Sequence, residues 1–126
     1  MLATVPGCEF EVERGPDWLL VRIVNLDPDP LQSPTLSEHL WSLLERHLTY
    51  RLVLQLDALP VLDSYVLGQL LDLRQRVDGR GGLMRLCSLS PQNHRILHRS
   101  RLAEVFLPYH SREEAVMGCD RPRRPK

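Results

Sequence analysis

The chain has few of the residues that most catalytic, metal and nucleic-acid sites need. It contains a single lysine, at position 126, and only 6% aromatic residues. Its three cysteines, Cys8, Cys87 and Cys119, follow no metal-ligand spacing. The formal net charge is zero, so charge gives no reason to expect nucleic acid as a direct partner. Since no Gly-x-Ser-x-Gly or Walker A motif occurs either, we expect a protein that is not an enzyme.

Long apolar runs are also missing. The longest are a few residues, far short of the ~20 that a membrane-spanning helix needs. Residues 1–10 lack the basic start and the long apolar stretch of a signal peptide. We therefore expect a soluble, cytoplasmic protein without membrane insertion. Residues 120–126 hold four basic residues, one acid and two prolines, which predicts disorder. We expect one domain at 9–117 and a basic disordered tail at 118–126.

Alternating and helical spacings of apolar residues predict the order of elements. Residues 9–13 and 18–24 predict an antiparallel hairpin, and T-L-S-E at 35–38 is a capping box that begins a helix. The later elements are a strand at 52–56, a helix from Ser64, a strand at 83–89, a helix capped by Ser90, a strand at 105–107 and a helix at 111–116. This β-β-α-β-α-β-α-β-α order predicts a single α/β domain. Its mixed, mostly parallel sheet would have about five strands, with about four helices.

The stretch from residue 52 to residue 68 is the most informative. L-V-L-Q-L predicts a strand buried on both faces, and helical spacing begins at Val66. Asp63 and Ser64 fall between them, where the first N–H groups of a helix have no intrahelical partner. Both are favoured helix caps, and capping alone explains them. A serine at a helix start also suits a phosphate, so both interpretations stay open.

With this passage the sequence resembles the STAS domain, the fold of bacterial anti-sigma factor antagonists. Family members typically have two hydrophobic residues followed by Asp-Ser-Ser-Gly-Leu-Gly here, and the serine after the aspartate is phosphorylated. In this chain that serine is Ser64, whereas Tyr65 and Val66 replace the second serine and the glycine. Ser100-Arg101 also replaces a usual Thr-Gly. The other landmarks, which extend the resemblance over residues 9–117, are Gly81-Gly82, Ser90-Pro91, residues 102–106 and residues 111–115.

The resemblance implies a regulatory protein that binds other proteins. Ser64 would be the phosphoacceptor, and its phosphorylation would switch binding to an anti-sigma factor that is a serine kinase of the histidine-kinase-like ATPase type. The predicted partner-binding residues are Asp27, Pro60, Asp63, Ser64, Tyr65 and Pro91. The alternative is a non-switching STAS scaffold subunit of a membrane transporter or of a larger signalling assembly. Some family members bind a nucleotide, but no motif here specifies one, so we predict no cofactor.

Two other motifs carry less weight. Gly79–Gly82 runs from a helix into a strand, whereas phosphate-binding glycine loops run from a strand into a helix. His94 and His98, four residues apart, could share a helix face and bind a metal, but no third ligand is near in sequence. We predict a polar helix face and no metal site. The sequence does not specify the oligomeric state.

Overall fold

A computed structural model describes residues 2–5, 8–26 and 35–118 of the chain. Its strands are β1 Leu2–Val5, β2 Cys8–Arg14, β3 Leu19–Leu26, β4 Arg51–Gln55 and β5 Leu83–Cys87. Its helices are α1 Leu36–Arg46, α2 Ser64–Gly79, α3 Pro91–Arg99, α4 Ala103–Phe106 and α5 Arg112–Met117.

The five strands form one sheet in the order β1-β2-β3-β4-β5. The first two pairs are antiparallel, as short connections dictate, and β3-β4 and β4-β5 are parallel because α1 and α2 carry the chain back between them. The α/β class and the mixed sheet are therefore confirmed. Parallel and antiparallel pairs are equal in number in the described residues, so the sheet is less parallel than the sequence predicted.

The two faces of the sheet bury different cores. One face packs against α1, α2 and α3 and contains most of the buried leucines. The other face buries Trp18, Val53 and Cys87 against Ala115 of α5. Because β4 lies between β3 and β5 and both of its faces are covered, Leu52, Val53 and Leu54 are all buried. The continuous apolar run thus predicted a strand covered on both faces correctly.

The predicted strand at 105–107 is wrong. Residues 103–106 form the short helix α4, which buries Phe106, and only Tyr109 makes an isolated parallel bridge to β5, at Cys87. Three adjacent apolar residues do not distinguish a strand from a helical turn, and here burial of Phe106 decides. The observed order also begins with β1, which the sequence analysis missed because a four-residue run is too short to show a period.

Candidate functional site

The predicted site lies at the end of the sheet where β4 and β5 finish and where α2 and α3 begin. Such ends gather ligands and partners in parallel sheets, since connecting segments converge there. Pro60 belongs to the segment between β4 and α2, and Pro91 is the first residue of α3. The structure brings the segments of the predicted residues together, with one exception. Asp27 lies outside the described residues.

The start of α2 separates the roles of Asp63 and Ser64. The Asp63 carboxylate accepts a hydrogen bond from the Val66 N–H at 2.9 Å, so Asp63 is the N-cap. Ser64 is the first helical residue, and it is exposed. Its hydroxyl makes no hydrogen bond to any residue that the structure describes. Capping therefore accounts for Asp63 and leaves the Ser64 hydroxyl accessible.

The side chains around Ser64 form a surface with apolar and polar parts. Pro60, Asp63 and Pro91 are exposed, whereas Tyr65 is half-buried and packs against the main core. Sequence reasoning missed Val61, which is 44% exposed. The sequence gives no signal for it, because Leu59, Val61 and Leu62 are all apolar and only the structure shows which of them is exposed. This surface is suited to contact with another protein.

Asn93 of α3 holds the segment that leads to Ser64. Its side chain is fully buried, and its Oδ1 accepts from the Leu62 N–H at 2.9 Å while its Nδ2 donates to the Leu59 carbonyl at 3.3 Å. Leu59 and Leu62 are themselves buried. Sequence reasoning missed Asn93, although a polar residue four positions before the buried Leu97 was a usable signal. The backbone around Pro60 and Val61 is therefore held in place before any partner binds.

An arginine on β3 holds the other end of the same segment. Arg22 donates to both oxygens of Asp57, from Nε at 3.0 Å and from Nη2 at 3.2 Å, and Nη1 contacts Glu11 at 3.3 Å. This hydrogen-bonded charge holds the pKa of Asp57 below its usual range and raises the pKa of Arg22. Sequence alone could not pair these residues, since their contact depends on the register between β3 and β4.

The histidines considered as metal ligands do not form a centre. His94 is half-buried, and burial, aided by nearby His110, lowers its pKa, whereas His98 is exposed. No group of three or more His, Cys, Asp or Glu side chains in the described ranges could hold a metal ion. In those same ranges no helix combines the length and the apolar character needed to cross a bilayer.

One family model and two solved structures match the chain. The family model for the STAS domain matches residues 11–115. The chain is also similar to two solved structures of TM1081. The crystal structure, of a candidate anti-sigma factor antagonist from Thermotoga maritima, has a TM-score of 0.65 at 19% identity and covers 89% of this chain and 95% of that one. The NMR structure has a TM-score of 0.63 at 19% identity and covers 86% of each chain.

Proposed function

Because the chain belongs to the STAS domain family, we propose that it is an anti-sigma factor antagonist, a regulatory module that acts by binding another protein. The partner would be an anti-sigma factor of the histidine-kinase-like ATPase type, which is also a serine kinase. Ser64 would be the phosphoacceptor, with binding favoured when Ser64 is unmodified. The binding surface would comprise Asp27, Pro60, Asp63, Ser64, Tyr65 and Pro91, to which we add Val61.

The observation that carries the proposal is the position of Ser64. It is exposed at the start of a helix whose cap is supplied by Asp63, so its hydroxyl is not needed for folding. A kinase can therefore reach the hydroxyl without opening the core. TM1081, a candidate anti-sigma factor antagonist with a similar fold, supports the same class of partner.

The rigidity of the neighbouring segment supports a role in binding. Asn93 and Arg22 hold the segment at both ends, and Leu59 and Leu62 anchor it in the core. A surface that is already ordered loses little conformational entropy when a partner docks. Val61 and Pro60 then present apolar contact area at a fixed position.

Phosphorylation of Ser64 would change this surface more than it changes the fold. A phosphoserine carries close to −2 and would lie beside the carboxylate of Asp63. At ~5 Å and an effective dielectric constant of ~20, two unit charges interact by roughly 3 kcal/mol. The N–H groups of the first turn offset about 0.5–2 kcal/mol of this repulsion. A partner that packs closely on Ser64 would meet this added charge, and a loss of ~3 kcal/mol of binding is about a hundredfold in affinity.

The experiment uses purified protein and, one at a time, the histidine-kinase-like ATPases encoded in the same genome. Isothermal titration measures binding, and mass spectrometry after incubation with ATP detects the mass of one phosphate. Ser64→Ala should bind like wild type and stay unmodified, whereas Ser64→Asp should bind about a hundredfold more weakly. Ser42→Asp is the matched control, because Ser42 is an exposed serine within α1, and it should bind like wild type.

The alternative is a STAS scaffold that does not switch, in a transporter or a larger signalling assembly. Burial of Val66 in the core and packing of Tyr65 against it favour this alternative, since the family pattern has small residues at both positions. If wild type and Ser64→Asp bind an ATPase equally and no phosphate is added, the scaffold replaces the switch. If no ATPase binds wild type, the proposed partner class is wrong.

A further inference from the structure

A glycine on the exposed side of α2 is not required by the fold. Gly68 lies in the interior of this helix, one turn after Ser64. Apart from proline, glycine is the least favourable residue at such a position, because it loses the most conformational freedom on folding. A folded protein usually keeps a glycine for a left-handed backbone or for a space that cannot hold a Cβ.

Neither need exists at Gly68 in the part of the chain that the structure describes. The residue is helical, and its φ is not positive. A Cβ built on it would meet no atom within 4 Å. Gly82 shows the contrast, since a Cβ there would lie 2.0 Å from the Tyr50 carbonyl oxygen. The fold therefore accounts for Gly82, whereas the need for space at Gly68 lies outside the fold.

The other exposed glycine of α2 fits its position without such a need. Gly79 is the last residue of the helix, and a Cβ there would also meet no described atom within 4 Å. Glycine is common where a helix ends, because the chain leaves the helical conformation there. Gly79 is consequently a matched control for Gly68.

The residues that share a side of α2 with Gly68 have the spacing of a helix–helix contact. The spacing is i, i+4, i+7, i+11, which places the residues in one stripe along a helix. This stripe, the α2 seam, consists of Ser64, Gly68, Leu71 and Gln75. Three of the four are exposed and Leu71 is half-buried, so a second helix could lie along them.

Helix α1 lies beside the α2 seam and does not cover it. The Ser37 N–H of α1 donates to Gln69 Oε1 at 2.9 Å, and the Ser37 hydroxyl bonds to Asp72 Oδ2 at 2.6 Å. Gln69 and Asp72 each follow a seam residue by one position, which is about 100° around the helix. Within the described ranges the seam thus remains open next to α1.

A residue without a side chain matters most where two helices cross. The axes of packed helices lie about 8–10 Å apart, and the side chains at the contact decide the distance. Gly68 lies between Ser64 and Leu71 on the α2 seam, so it permits the short end of that range. Leu71 and the half-buried Leu67 add apolar area beside it, which suits an amphipathic helix.

We propose that a helix of the anti-sigma factor crosses α2 at Gly68, with its backbone in the space that a side chain would fill. The inference rests on the proposed function, because the partner is the ATPase that would recognise Ser64. Gly68 lies four residues after Ser64, about 6 Å along the axis. The close crossing would therefore place the partner directly beside the Ser64 hydroxyl.

Isothermal titration with an ATPase that binds wild type tests the inference, with thermal unfolding in parallel. Gly68→Ala should raise the melting temperature by roughly 2–6 °C, and Gly68→Gln should not lower it. Binding should weaken about tenfold for Gly68→Ala and about a hundredfold for Gly68→Gln, since the larger side chain overfills the contact more. Gly79→Gln, the same change about 16 Å further along α2, should bind within about twofold of wild type.

Higher stability together with weaker binding is a result that damage to the fold cannot produce. Wild-type affinity of Gly68→Gln overturns the inference, and so does an equal loss of affinity in Gly79→Gln, because the effect would not be local. A lower melting temperature of Gly68→Ala also overturns it, since the fold would then need the glycine. These outcomes leave the proposed function standing, whereas failure of every ATPase to bind wild type overturns both.

Photo-crosslinking tests the choice of a helix as the contacting element. Benzoylphenylalanine placed at position 75, the last position of the α2 seam, should capture a peptide that belongs to a helix of the ATPase. Capture of a strand or a loop overturns this part of the inference.

Discussion

Replacement of Asn93 by alanine tests whether α3 builds the segment that carries the Ser64 surface. The change leaves the N–H of Leu62 and the C=O of Leu59 without their side-chain partner, at a site where Asn93 is fully buried. Each unsatisfied buried group costs about 1–3 kcal/mol, so we expect a loss of roughly 2–6 kcal/mol. That is a large part of the ~5–15 kcal/mol by which a domain is usually stable.

The assay is urea unfolding followed by the fluorescence of the two tryptophans, Trp18 and Trp41, with the free energy of unfolding extrapolated to water. Gln92→Ala is the control, because Gln92 is the exposed neighbour of Asn93 on the same helix and should change stability within ~0.5 kcal/mol. A loss below ~1 kcal/mol in Asn93→Ala would refute the reasoning, since water or backbone movement would then satisfy both groups.

The variant Asn93→Asp adds a pH signature that simple loss of packing cannot produce. One carboxylate oxygen can still accept from Leu62, but the other faces the Leu59 carbonyl, which has no hydrogen to donate. Folding therefore favours the protonated acid and raises its pKa above the unfolded value of ~3.9. The folded state binds more protons, so stability should fall as the pH rises through the folded pKa. Unfolding at pH ~5 and ~7 should show this variant more stable at the lower pH, and equal values would contradict the contact.

Three further substitutions test two glycines and the ion pair between Arg22 and Asp57. Gly82→Ala should lower the free energy of unfolding by about 3 kcal/mol or more, because the added Cβ would lie 2.0 Å from the Tyr50 carbonyl oxygen. Gly68→Ala should raise it by about 0.5–1 kcal/mol, because Gly68 is exposed within α2 and the added Cβ meets nothing within 4 Å. Thermal unfolding of both variants measures the two effects. Asp57→Asn should cost about 0.5–1 kcal/mol at pH ~7, because the pair with Arg22 is 42% exposed at the aspartate. The folded pKa of Asp57 is lowered, so its contribution is complete above pH ~5 and is lost as the pH falls through that pKa. Unfolding at pH ~3 should therefore show a smaller difference from wild type than unfolding at pH ~7.

Local signals predicted the helix starts correctly. The Thr35 hydroxyl and the Glu38 carboxylate form the reciprocal bonds of the capping box, and Ser90 accepts from the Asn93 N–H with Pro91 in the first turn. These patterns succeed because cap and capped group lie within three residues, so the rest of the chain has little influence on them.

Signals that depend on distant parts of the chain failed. Whether residues 105–107 form a strand or a helical turn depends on how Phe106 packs in the core. A short window of sequence does not contain that information. The contact between Asn93 and Leu62 spans 31 residues, and the contact between Arg22 and Asp57 spans 35. Both hold the Ser64 segment, so the geometry of the candidate site was less predictable than its location.

At the start of α2 the structure gives different roles to two residues that the sequence could not distinguish. Asp and Ser are equally good caps in sequence, and only the bond from Val66 to Asp63 assigns the cap. Once Asp63 fills that role, the Ser64 hydroxyl has no structural task among the described residues, although it lies beside a segment that Asn93 and Leu62 hold rigid. The Ser64 hydroxyl is not needed for stability, and the backbone beside it is held in place. A change at such a position can therefore alter an interaction without unfolding the protein. Substitution of Ser64 should therefore change binding while leaving the free energy of unfolding within ~0.5 kcal/mol, unlike substitution of Asp63 or Asn93.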